Sequence, residues 1–203
     1  EGRAAIRQRL SQYTGLSEEF VESTNLRINI THFTKELMRV QGRSVGRLDS
    51  RFTGIDRDSV GAGPDHDPSM TAIWGPYTAV LNDYVRRDLG YENDLVYEIL
   101  TGRVRPWSYQ NVQNQYLNVS ETLREAMSKN RDLWVMVAAG YYDLATPFFA
   151  SDYVMSHLGL DPTLRGNIVK TYYESGHMMY IREADLAKLK ADVGDFFGSA
   201  LGW

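Results

Sequence analysis

The chain has 203 residues, 22 basic and 26 acidic, with a net charge of −4 and 43% apolar side chains. That balance supports a real core, argues against wholesale disorder, and offers neither a basic stripe for nucleic acid nor a basic amphipathic helix for a membrane surface. There is no cysteine, which excludes disulfides and thiol catalysis. No apolar run reads as a bilayer span and none as a signal peptide, and the start at Glu1 without Met is expected of a mature or trimmed product.

Taken in order, EGRAAIRQRLSQY places Ile6, Leu10 and Tyr13 on one helical stripe, closed by Gly15. Ser17, followed by Glu18 and Glu19, opens a short second helix. THFTKELMRVQ predicts a third, capped by Thr31, with Phe33, Leu37 and Val40 inward and Gly42 at its end. SVGRLDSRF alternates loosely, as a strand or an extended arm does. Residues 54–69 are rich in Gly, Pro and Asp and read as a loop. A helix is expected from about Met70 to Asp88 and another from Ser120 to Ser128, capped by Ser120. An aromatic and amide-rich linker, Arg103 to Gln115, lies between them.

The character changes after residue 130. LWVMVAA is almost continuously apolar, which predicts a strand covered on both faces in a parallel sheet. FFASDYVMSHL reads as a helix with Phe149 and Tyr153 toward its buried side. IVKTYYES is a second strand by its β-branched and aromatic content. A last helix is expected from about Glu183 to Phe197, with Leu186, Leu189, Val193 and Phe196–Phe197 as its stripe. Strand, helix, strand, helix makes one βαβ unit, and nothing repeats along the chain.

Open α/β sheets carry their ligands at the carboxyl ends of their strands. Asp143 falls just past the first strand and His177 just past the second. Neighbouring strands lie about 4.8 Å apart, so the two loops can bring a carboxylate to an imidazole. An Asp that accepts from one ring nitrogen fixes the tautomer, leaving the other nitrogen to take a proton from a nucleophile. Each residue also has an ordinary reading, as a turn or capping Asp and as a packing His. Their joint position at successive strand ends favours the catalytic one.

Two segments carry a family resemblance. AAGYYDLATPFFASDYV and YYESGHMMYIREADL resemble the acid and histidine segments of the serine carboxypeptidase family of α/β hydrolases. In that family the acid follows a strand in a Gly-x-x-Asp turn and a Gly-His-Met sequence carries the histidine. Asp143 matches the first, and Gly176-His177-Met178 the second. The resemblance covers about residues 131–197. It is looser over 1–130, where GRSVGRLDSRFTG is similar to a segment of bacterial members. It implies a C-terminal strand-helix-strand-helix piece of the α/β-hydrolase core at 131–203, with 1–130 as a mainly helical cap. By analogy with the family, Met178 would touch the leaving group.

The family's nucleophile sits in a Gly-Glu-Ser-Tyr-Gly type elbow, which this chain lacks. Gly42-Arg43-Ser44-Val45-Gly46 does fit G-x-S-x-G. An elbow, however, needs an apolar strand before it and a helix after it, and KELMRVQ and RLDSRFTG are neither. The resemblance therefore implies the C-terminal portion of such an enzyme, with a serine from outside this chain. The expected partners are a peptide substrate and the missing N-terminal half, with no nucleic acid, no membrane and no cofactor. Family members are secreted, periplasmic or vacuolar. An esterase or acyltransferase on the same scaffold, or a non-catalytic folding or interaction module, are the alternatives.

Other candidates weigh less. Trp107, Tyr109 and Tyr116 offer rings to line a substrate pocket, Trp107 foremost, although such rings more often anchor packing. Asp65-His66-Asp67 has metal-ligating side chains, but in a Pro-Gly loop it reads as a solvated turn. His157 sits near a helix C-terminus and His32 in a first helical turn, both ordinary surface positions. Asn29-Ile30-Thr31 and Asn118-Val119-Ser120 are glycosylation sequons, meaningful only in a eukaryotic secreted protein.

Overall fold

The computed structural model describes residues 2–99 and 101–202. Helix α1 (Arg3–Thr14) ends where Gly15 takes a left-handed φ of 73° and its N–H bonds Ser11 O. Helix α2 (Glu18–Ser23) starts at Ser17, whose hydroxyl accepts from Phe20 N. The stripe expected to face inward on α1 does not: Tyr13 is 85% exposed and Ile6 is also exposed. Helix α1 packs chiefly on α2, held by Arg3–Glu22 at 2.7 Å and Arg7–Glu18 at 2.9 Å. Burial falls instead on Leu16 and Val21.

Helix α3 (Ile30–Glu36) is capped by the side chain of Asn29, which accepts from His32 N, and not by Thr31. Asn29 is the last extended residue, while Thr31 is already inside the helix. A 3-10 turn at Arg39–Gln41 follows. The tighter winding takes Val40 off the buried stripe, and it is fully exposed. Gly42, at φ 64°, ends the turn as expected.

Strands β1 (Arg43–Val45) and β2 (Thr53–Ile55) form an antiparallel pair with Ser44 opposite Gly54. Helix α4 (Pro68–Asp83) begins at Asp67, whose carboxylate accepts from Ser69 N and Met70 N. Pro68 suits this first turn, because the N–H it lacks would have no helical partner there. A π-helical turn, Tyr84–Asp88, prolongs the helix to the expected end. Helix α5 (Ser120–Lys129) is not capped by Ser120. Asn118 Oδ1 accepts from the N–H and hydroxyl of Ser120 and does the capping from outside.

The strand-helix-strand-helix order is present from residue 135 on. Strands β3 (Val135–Gly140) and β4 (Ile168–Tyr173) run parallel, in register from Val135↔Ile168 to Gly140↔Tyr173. Helix α6 (Phe148–Ser156) lies between them in sequence, and α7 (Glu183–Leu201) follows. Successive strand residues point to opposite faces. Tyr172 turns to α6, donating to Asp152 at 2.6 Å, and Tyr173 turns to α7, donating to Asp192 at 2.8 Å. Helices therefore cover both faces of the strand pair.

On α6 Phe148 and Asp152, one turn apart, are half-buried, whereas Phe149 and Tyr153 are exposed. Phe148 sets its edge against Tyr141 and Tyr172. On α7, Leu189, Val193 and Phe196 are half-buried, whereas Leu186 and Phe197 face solvent. The main apolar cluster, Met127, Leu158, Leu160 and Leu164, packs with Val135 and Ile168 at the start of both strands. The core thus fixes one end of the strand pair and leaves the carboxyl end to carry loops. Among the described residues each of the two strands has one neighbour, and no helix is long and apolar enough to cross a membrane.

Candidate functional site

The two loops leaving the carboxyl ends of β3 and β4 meet. Tyr141 N bonds Tyr173 O and Tyr142 N bonds Ser175 O, both at 3.0 Å. Glycine is required on each side of this approach. A Cβ at Gly140 would lie 2.2 Å from Gly176 O, and one at Gly176 would lie 2.2 Å from Leu48 O. No methyl group fits at either distance.

Asp143 follows in the first loop and is buried, at 4% exposure. Its Oδ1 accepts from Ala145 N at 2.7 Å and Thr146 N at 2.9 Å. Its Oδ2 accepts from the Thr146 hydroxyl at 2.6 Å and lies 2.8 Å from His177 Nδ1. Burial alone would push this carboxyl up. The hydrogen bonds from Thr146, His177 and Ala145 outweigh it and hold the group below the ordinary carboxylate range. A carboxylate on Oδ2 places the proton on Nδ1 and leaves Nε2 with its lone pair. Thr146 Oγ1 also stands 3.1 Å from Nδ1, so carboxylate, hydroxyl and imidazole form one closed group.

The histidine is aimed by its own main chain. His177 N donates to Leu48 O at 2.7 Å, and Gly176 N donates to Asp49 Oδ2 at 2.8 Å. Asp49 is fully buried. It also accepts from Arg51 Nε at 2.9 Å and Nη2 at 2.6 Å, while Arg51 Nη1 reaches Glu174 O at 2.5 Å. Residues 47–50 are tied to the acid loop as well, through Ser50 N to Tyr142 O and Leu144 N to Arg47 O. The arm is held in turn by the start of α4, where Leu48 N donates to Ser69 Oγ and Arg47 N to Asp67 Oδ1. The segment from Arg47 to Arg51, placed with the helical region by its position in sequence, therefore packs as part of the strand-end edge.

The histidine side chain is 45% exposed. Its Nε2 makes no hydrogen bond among the described residues. An oriented, half-exposed imidazole can accept a proton from a hydroxyl brought to it and later return it.

The remaining sequence candidates scatter. Met178 is buried beside His177. Trp107, Tyr109 and Tyr116 are all exposed, at 70%, 57% and 98%, in the segment between α4 and α5. Ser44 is fully buried inside β1, and its Oγ has no hydrogen-bond partner among the described residues, a setting unlike a strand-to-helix elbow. Asp67 is spent on capping α4, and Asp65 N donates to Asp56. No metal-binding cluster of His, Cys, Asp or Glu occurs among the described residues. His157 ends α6 with its ring stacked on Tyr153, centroids 3.9 Å apart.

Sequence reasoning missed Asp49, Arg51 and Thr146. The local signal for Asp49 is its turn: Arg51 N donates to Asp49 Oδ1, two residues back. Nothing local reveals that the second oxygen reaches Gly176.

No protein-family model, no curated protein and no solved structure matches the chain.

Proposed function

We propose that this chain supplies the acid and the histidine of a serine hydrolase of the serine carboxypeptidase type, in an α/β-hydrolase core completed by residues outside it. One observation carries the reading. Asp143 Oδ2 and His177 Nδ1 lie 2.8 Å apart at the carboxyl ends of adjacent parallel strands, with the imidazole half-exposed. Two features support the wider core. Among the described residues both strands have an open edge, and apolar side chains on α6 and α7 face solvent. All-parallel sheets seldom stop at two strands, because both faces and edges need cover.

In this reading a serine from the completing half attacks the last peptide bond of the substrate. His177 Nε2 takes its proton and then passes it to the leaving amine. Asp143, held by Thr146, keeps the imidazole in the Nδ1–H tautomer and balances the imidazolium that forms. Main-chain N–H groups, mostly from the completing half, receive the oxyanion. Met178 borders the leaving group.

The test is active-site labelling of the complete protein with a fluorophosphonate. One serine outside residues 1–203 is expected to label, and H177A is expected to slow labelling by about 10³-fold or more. Release of the C-terminal residue from a blocked dipeptide identifies the peptidase; turnover of an aryl ester alone identifies the esterase alternative. Labelling at Ser44, or none at all, would overturn the proposal.

A further inference from the structure

The second half of α4 and the loop after it enclose a groove that shares no lining residue with the Asp143–His177 pair. Leu81 and Val85, one turn apart, form its floor. The chain then reverses at Gly90, whose φ of 60° suits a left-handed turn, and Tyr91 N bonds back to Val85 O at 3.0 Å. Asn93 stiffens the returning loop, with Nδ2 on the Tyr91 hydroxyl at 2.9 Å and Oδ1 accepting from Leu95 N at 2.7 Å. Leu95 and Tyr97 complete the apolar wall. The cavity measures about 320 Å³, at the small end of the roughly 300–1,000 Å³ of ligand pockets.

One charge lines it. Arg86 and Arg87 follow each other, and Arg87 takes both neighbouring carboxylates, Asp83 and Asp88, each at 2.9 Å. Arg86 has no ion pair and no hydrogen bond among the described residues, and it borders the groove. A guanidinium beside apolar walls recognises a planar anion joined to an apolar body. A cation is repelled there, and a second negative charge finds no partner.

We infer that this groove binds a small amphiphilic monoanion, a carboxylate carrying one aromatic ring or a short branched chain. The inference stands on Arg86 and the walls alone, apart from the hydrolase reading.

Calorimetric titration of the chain with phenylbutyrate and with its uncharged amide tests it. The acid is expected to bind at one site, about three- to tenfold more tightly than the amide. R86Q should reduce the acid to the affinity of the amide while leaving the amide unchanged. This guanidinium holds no other group, so the variant keeps its fold. L81D, at a position 38% exposed, should weaken both ligands with an unchanged circular dichroism spectrum. Equal affinity for acid and amide, an R86Q variant that binds the acid as well as the parent, binding indifferent to L81D, or no saturation would each overturn the inference.

Discussion

Asp49 accepts the main-chain N–H of Gly176 at 2.8 Å across 127 residues of sequence. The contact fixes the residue just before His177, so the imidazole is aimed by a carboxylate it never touches. Four donors converge on this buried side chain: Gly176 N, Arg51 N, and two nitrogens of the Arg51 guanidinium.

Removing that carboxylate leaves a buried N–H and a guanidinium without their acceptor. D49A is expected to lower the unfolding free energy by about 2–4 kcal/mol. R51A should cost less, about 1 kcal/mol, because its side chain is 33% exposed and water replaces part of what it loses. Urea unfolding measures both. The Nδ1 proton resonance of His177 should broaden in D49A as the loop loosens. A D49A variant within about 0.5 kcal/mol of the parent would show that Asp49 does not hold the loop.

Thr146 sets the acid limb of the pair. Its hydroxyl and N–H both donate to Asp143, whose folded pKa lies below its ordinary value although burial pushes the other way. A depressed carboxyl contributes stability that is present above the unfolded pKa, about 3.9, and lost as pH falls through the folded value. T146V keeps the shape and deletes one donor. It should raise the Asp143 pKa, move acid unfolding to higher pH, and cost about 1–2 kcal/mol at neutral pH. T146S should restore the parent behaviour. Carbon NMR titration of the Asp143 carboxyl reads the shift directly, and an unmoved titration would remove Thr146 from the site.

How much of this was legible in sequence divides along contact range. Strands and helices after residue 130 are set by local pattern: apolar runs, β-branched content, and Gly or Pro at the breaks. Asp143 and His177 could be placed for the same reason, since each stands a few residues beyond a strand end and parallel register does the rest. Errors came where the partner was distant or a cap shifted by one or two residues. Asn29 and Asn118 accept first-turn N–H groups in place of Thr31 and Ser120, because each stands just outside its helix while Thr31 and Ser120 already lie within it. The stripe on α1 looked inward by periodicity, but periodicity does not say whether anything lies across it. The buried Lys35–Asp56 pair, 2.6 Å apart, had no sequence signal at all, since charged residues ordinarily read as surface.

The last prediction concerns the two tyrosines that anchor helices to opposite faces of β4. Burial pushes the Tyr173 phenol up to about 12, with Asp192 adding to the rise and Thr171 opposing it. The hydrogen bond to Asp152 chiefly, then burial, holds Tyr172 at about 12 as well. Both folded values exceed the unfolded value of about 10. A raised phenol contributes stability that is fully present below the unfolded pKa and is lost as pH rises through the folded one. The chain should therefore lose stability between about pH 10 and about 12, with two phenols ionising late in a tyrosinate absorbance titration. Y173F deletes one late phenol and removes its share of the alkaline slope, while the lost bond to Asp192 costs about 1 kcal/mol at neutral pH. Y172F does the same on the α6 side. If Tyr173 ionised at the ordinary phenol value of about 10, the close packing of α7 on this face of the strand pair would be wrong.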